Sequence, residues 1–104
     1  MDALIILTTT PSPDVAKKIS HGLIEKKLAA CVSIVDNMES VFFWNGKLSE
    51  EKECLLIIKT SEKLFDEVRD WIKEHHPYSV PEILSVKVDL ASSDYLKWIY
   101  ETVR

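Results

Sequence analysis

The dipeptide Asn45-Gly46 constrains this chain more than any other feature. Both residues tolerate a left-handed backbone, which a two-residue hairpin turn requires at its centre. On one side a strand runs from Glu39 to Trp44 and ends in the aromatics Phe42-Phe43-Trp44. On the other a strand runs from about Lys52 to Thr60. In that second strand Glu53, Leu55, Ile57 and Lys59 share one face, while Cys54, Leu56, Ile58 and Thr60 share the other. An antiparallel pair, apolar on both faces, therefore lies near the middle of the chain, and the other elements must be arranged around it.

Upstream, Ala3–Thr9 reads as a strand whose run Leu4-Ile5-Ile6-Leu7 is also apolar on both faces. Ser12 is a good N-cap and Pro13 suits the first helical position. A helix is expected from about Pro13 to Lys27, with Val15, Ile19 and Leu23 on one stripe and Ala16 and Ile24 widening it. His21 lies on this helix and is given no role. A strand over Cys31–Val35 is interrupted at Asp36-Asn37 by a bulge or bend before resuming at Glu39.

Downstream, Ser61 is expected to cap a helix over roughly Glu62–His75, with Leu64, Phe65, Val68, Trp71 and Ile72 inward and Pro77 ending it. A fourth strand is expected over Ile83–Val88. Ser92 or Ser93 caps a last helix that turns Tyr95, Leu96, Ile99 and Val103 inward. The order is β-α-β-β-α-β plus a C-terminal helix. That is an α+β, ferredoxin-like arrangement: an antiparallel four-stranded sheet with helices on one face. At 104 residues it is a single domain, 1–104. One helical layer cannot cover two apolar sheet faces. The open face and the aromatic hairpin therefore imply an oligomer.

Composition narrows the function. Thirteen basic and 17 acidic residues give a net charge of −4 with no basic cluster, which excludes nucleic acid and anionic membrane as favoured partners. The apolar run Ala3–Leu7 is too short for a signal peptide or a membrane span, so no membrane insertion and a cytoplasmic location are expected. Cys31 and Cys54 match no CxxC or zinc spacing and read as free thiols acting as small core hydrophobes. The only glycines, Gly22 and Gly46, form no phosphate-binding loop. The strand over 52–60 lacks the stacking aromatics of an RNA-binding sheet. No Ser/His/Asp signature is present, so no catalytic residue is assigned and no enzyme is expected.

Two constellations remain. Glu53 and Lys59 sit on an otherwise apolar strand face, and each must be paired, exposed at a strand end, or functional. The segment His75-His76-Pro77-Tyr78-Ser79-Val80-Pro81-Glu82-Ile83 is stiffened by two prolines and dense in polar groups. It reads either as a structural turn or as a loop presenting His75 and His76 to a metal. Imidazole is a common ligand for copper, zinc and nickel. Consecutive side chains diverge, so a site would need Cys, Glu or His from elsewhere, including a neighbouring subunit.

Taken together, Leu28-Ala29-Ala30-Cys31-Val32, Trp44-Asn45-Gly46-Lys47-Leu48, Glu53 through Thr60, His76-Pro77-Tyr78 with Val80-Pro81-Glu82-Ile83, and Asp94-Tyr95-Leu96-Lys97-Trp98 resemble the CutA family of divalent-cation-tolerance proteins. The resemblance implies a homotrimer assembled through long hairpins. It also implies weak binding of copper or other divalent cations through His75 and His76. The family's cysteine near the end of the first strand is replaced here by Thr8, which removes a soft ligand. The resemblance further implies an intersubunit cleft of Trp44, Glu53, Lys59, His76, Tyr78 and Glu82, suited to a small anionic or zwitterionic ligand. The architecture is similar to trimeric PII-like sensors, so a small-molecule sensor, an adaptor or a scaffold for a protein partner is the alternative reading.

Overall fold

The computed structural model describes residues 2–104. Its elements are β1 (Ala3–Thr10), α1 (Pro13–Glu25), β2 (Cys31–Trp44), β3 (Lys47–Ser61), a 3-10 turn (Glu62–Leu64), α2 (Phe65–His75), β4 (Leu84–Lys87) and α3 (Ser93–Thr102). The four strands form one antiparallel sheet in the order β2-β3-β1-β4. This is the ferredoxin-like arrangement expected from the sequence.

Strand alternation separates two faces. Leu4, Ile6, Thr8 and Thr10 pair with Thr60, Ile58, Leu56 and Cys54, and all eight are buried. Ala16, Ile19 and Leu23 of α1 and Val68 and Ile72 of α2 join the core with them. Each fully buried Ile or Leu there contributes about 1.5–3 kcal/mol. The opposite face carries Ile5, Leu7, Leu55 and Ile57, only half-buried, flanked by the exposed Val35, Leu84 and Val86. The protomer thus leaves an apolar sheet face open.

The central hairpin is longer than the sequence suggests. β3 begins at Lys47 rather than Lys52, and β2 pairs with it continuously except for a register shift between Val35 and Met38. The polar run Lys47–Lys52 obscures this, because both faces of a protruding hairpin meet solvent. At the tip Asn45 (φ 52°) and Gly46 (φ 75°) make the left-handed turn. The hairpin stretches the protomer to 45 × 26 × 22 Å.

Helix ends depart from expectation. α1 stops at Glu25, because Lys27 adopts a left-handed φ of 57° and the Leu28 amide donates back to the Leu23 carbonyl. Ser61 does not cap α2. It ends β3 opposite Ala3, its buried hydroxyl has no partner, and the chain passes through the 3-10 turn first. In α3, Ser92 makes no side-chain cap and Tyr95 faces solvent; Ile99, and Val103 just beyond the helix, enter the core. β4 is shorter than predicted, a four-residue edge strand.

Candidate functional site

The two consecutive histidines part company. α2 ends at His75, and Pro77 forces His76 into extended geometry (φ −98°, ψ 134°). His75 therefore stays on the helix and lies over Trp71, one turn earlier, with ring centroids 3.8 Å apart. Its Nδ1–H donates to the Trp71 carbonyl at 2.9 Å, which leaves Nε2 as the outward acceptor. Trp71 in turn lies against Gly22 and donates its indole N–H to the Ile19 carbonyl at 3.1 Å.

His76 turns inward and is buried. Its Nδ1 accepts the Tyr78 backbone N–H at 3.1 Å, so Nε2 carries the hydrogen and donates to the Thr9 carbonyl at 2.7 Å. Both ring nitrogens are committed. The pair does not converge as a chelate, because helix end and extended segment aim the rings apart. Among the described residues no group of three or more His, Cys, Asp or Glu is placed to hold a metal ion. Thr8 adds no ligand near them: its side chain is sealed in the core and its hydroxyl has no partner.

Of the six expected cleft residues the protomer brings three together. His76 stacks on Tyr78 with centroids 4.8 Å apart, and the Tyr78 hydroxyl donates to Glu53 Oε2 at a long 3.4 Å. Glu53 is only 7% exposed, on the open-face side of β3. Burial pushes the Tyr78 phenol above its ordinary range, and the charges of Glu53 and Glu51 push it further. Lys59 shares that face but stands six residues away, about 20 Å along the strand. There it donates to Ser33 Oγ at 2.6 Å. Trp44 is at the hairpin tip, 58% exposed, and Glu82 is exposed on the loop before β4.

Strand parity alone groups Glu53 with Lys59, but parity carries no information on distance along the strand. The residue that sequence reasoning missed is Thr9, which anchors His76 through a backbone carbonyl, a group with no residue signature. Trp71 under His75 was legible from the four-residue spacing. The cysteines divide. Cys54 is buried and donates to Asp36 Oδ1 at 3.2 Å, its thiol pushed up by burial and then by Asp36. Cys31 is half-exposed beside Lys59 on the open face.

Residues 4–102 match the family model described as CutA1 divalent ion tolerance protein. This chain belongs to the CutA1 family. The Divalent-cation tolerance protein CutA of Thermus thermophilus is 39% identical over 93% of this chain and 94% of its own length. The rice protein named CutA 1, chloroplastic, is 37% identical over 98% of this chain but only 58% of its own length. A solved CutA structure from Archaeoglobus fulgidus, described as a periplasmic divalent cation tolerance protein, superposes with a TM-score of 0.95 at 40% identity and covers 98% of this chain and 99% of that one. CutA relatives thus carry names from different compartments. Among the described residues no helix is long and apolar enough to cross a membrane.

Proposed function

We propose that this chain works in divalent-cation tolerance as a non-enzymatic homotrimer that binds copper, or another divalent cation, weakly through the His75-His76 segment. Family membership sets the cation theme. The observation that carries the metal reading is His75: its Nδ1–H is spent on the Trp71 carbonyl, which presents Nε2 outward as a ligand needs. A one-nitrogen start fits weak binding and excludes a closed structural site. The open sheet face and the exposed hairpin aromatics support the trimer. A cytoplasmic setting belongs to the same proposal, in keeping with two unpaired cysteines. Native mass spectrometry during titration with Cu(II) and Zn(II) tests both parts. The expected result is a trimer that takes up metal in proportion to its subunits; a species that stays metal-free would remove the metal reading.

The second reading is a small-ligand cleft between subunits, favoured by the buried Glu53 with Tyr78 and His76 beside it. An unpaired buried carboxylate seeks a cationic or hydrogen-bonding partner. In a trimer Lys59, Trp44 and Glu82 of neighbouring copies would have to supply the rest. A thermal-shift screen of zwitterionic and anionic metabolites tests it, and no stabilisation by any of them would count against it.

A further inference from the structure

We infer that the partner of His75 in metal binding is His21 of α1, not its sequence neighbour His76; this rests on the metal reading above. α1 and α2 pack side by side on the outer helical layer. Between them lies an open groove of about 340 Å3 lined by Lys17, Lys18, His21, Glu25, Trp71 and His75. The groove brings together two of the chain's three histidines, from segments 54 residues apart. His76 is excluded, because both of its nitrogens are held inside the protein.

The two imidazoles are prepared differently. The His75 ring is fixed by its stack on Trp71 and its bond to the Trp71 carbonyl, so Nε2 projects into the groove with little rotamer freedom left to lose. Trp71 itself is pinned by Gly22 and by the Ile19 carbonyl. His21 is exposed and free to rotate toward it. Glu25 follows His21 by four residues on the same helical face and brings a carboxylate to the groove. Two imidazoles and a carboxylate, with water completing the shell, suit Cu(II), Ni(II) or Zn(II) rather than Mg(II) or Ca(II). The side chains as they stand are not gathered around one centre, and Lys17 and Lys18 place like charge in the same groove. Both lower the affinity, which makes this a weak, open site.

The test is isothermal titration of the full chain with Cu(II), beside His21→Ala, His75→Ala and His76→Gln, with circular dichroism confirming each fold. Loss of about tenfold or more in affinity in both His21→Ala and His75→Ala, with His76→Gln close to wild type, supports the site. Unchanged binding in His21→Ala overturns it while leaving the metal reading intact. A wild-type chain that takes up no Cu(II) overturns both. Because His21 and His75 lie on the surface, the decision does not depend on whether His76→Gln folds. Tryptophan emission gives a second readout: Cu(II) seated on His75 quenches Trp71 beneath it, and that quenching disappears in His75→Ala.

Discussion

Gly22 shows what a single missing side chain does here. A Cβ at this position would sit 2.0 Å from Trp71 Cζ2. Helix propensity alone favours Gly22→Ala by about 1 kcal/mol. The overlap opposes it, and Trp71 cannot drift freely, being tied to the Ile19 carbonyl, stacked under His75 and covered by Lys26 at 5.1 Å. Overpacking wins, and Gly22→Ala should cost about 1–3 kcal/mol in urea unfolding. An unchanged midpoint would show that Trp71 swings out. Tyr78 gives a prediction in pH. Its folded pKa is raised, so the folded state keeps the proton longer than the unfolded chain, whose phenol titrates near 10.0. The stabilisation is fully present below that value and is lost as pH climbs through the folded pKa. Tyr78→Phe should therefore flatten the alkaline limb of a stability-against-pH curve; an identical limb would mean that the phenol does not couple to folding. The sequence marked Tyr78 and Glu53 as chemical residues, but only the fold could show that Tyr78 reaches Glu53 while Lys59 does not.

At the scale of elements, the strand pattern was legible because period-two alternation and Asn45-Gly46 are local signals. Helix ends were less legible. Lys27 reads as a continuing helix residue, yet it occupies the left-handed position that closes α1, with the Lys27 and Leu28 amides bonded back to Ile24 and Leu23. A side chain there costs about 1–2 kcal/mol relative to glycine. Lys27→Gly should then raise stability by about 1 kcal/mol after the added entropy of the unfolded chain is counted, read as a higher urea midpoint. Ser61 illustrates the converse. Its residue type predicts a cap, but pairing with Ala3 carries it into the sheet and its hydroxyl is buried instead. At the hairpin tip, Trp44 is mostly exposed in the protomer, so Trp44→Ala should change protomer stability by no more than about 0.5 kcal/mol. Under the trimer proposal the same substitution weakens assembly, seen as a shift of the monomer–trimer balance with dilution. No shift would place the indole outside the subunit contact.

At the scale of the molecule, the two sheet faces carry different obligations. The covered face binds the helices and holds the protomer together; the open face is apolar without a partner inside the chain. That asymmetry was legible in the sequence, since one helical layer cannot cover two apolar faces, but the position of any subunit seam was not. Val86 tests whether the open sheet is that seam. It is 55% exposed on the edge strand β4, level with Ile5 of β1, and plays no part in the buried core. Val86→Lys should therefore leave helix content and the protomer's unfolding midpoint nearly unchanged, as surface substitutions do. If sheet faces meet in the trimer, it would also bring unpaired ammonium groups into an apolar contact, which costs far more than a surface charge. Sedimentation velocity should then show wild type as trimer and Val86→Lys as monomer. A variant that remains trimeric with its fold intact would move the seam away from β4 and leave the β2–β3 hairpin as the element that joins the subunits.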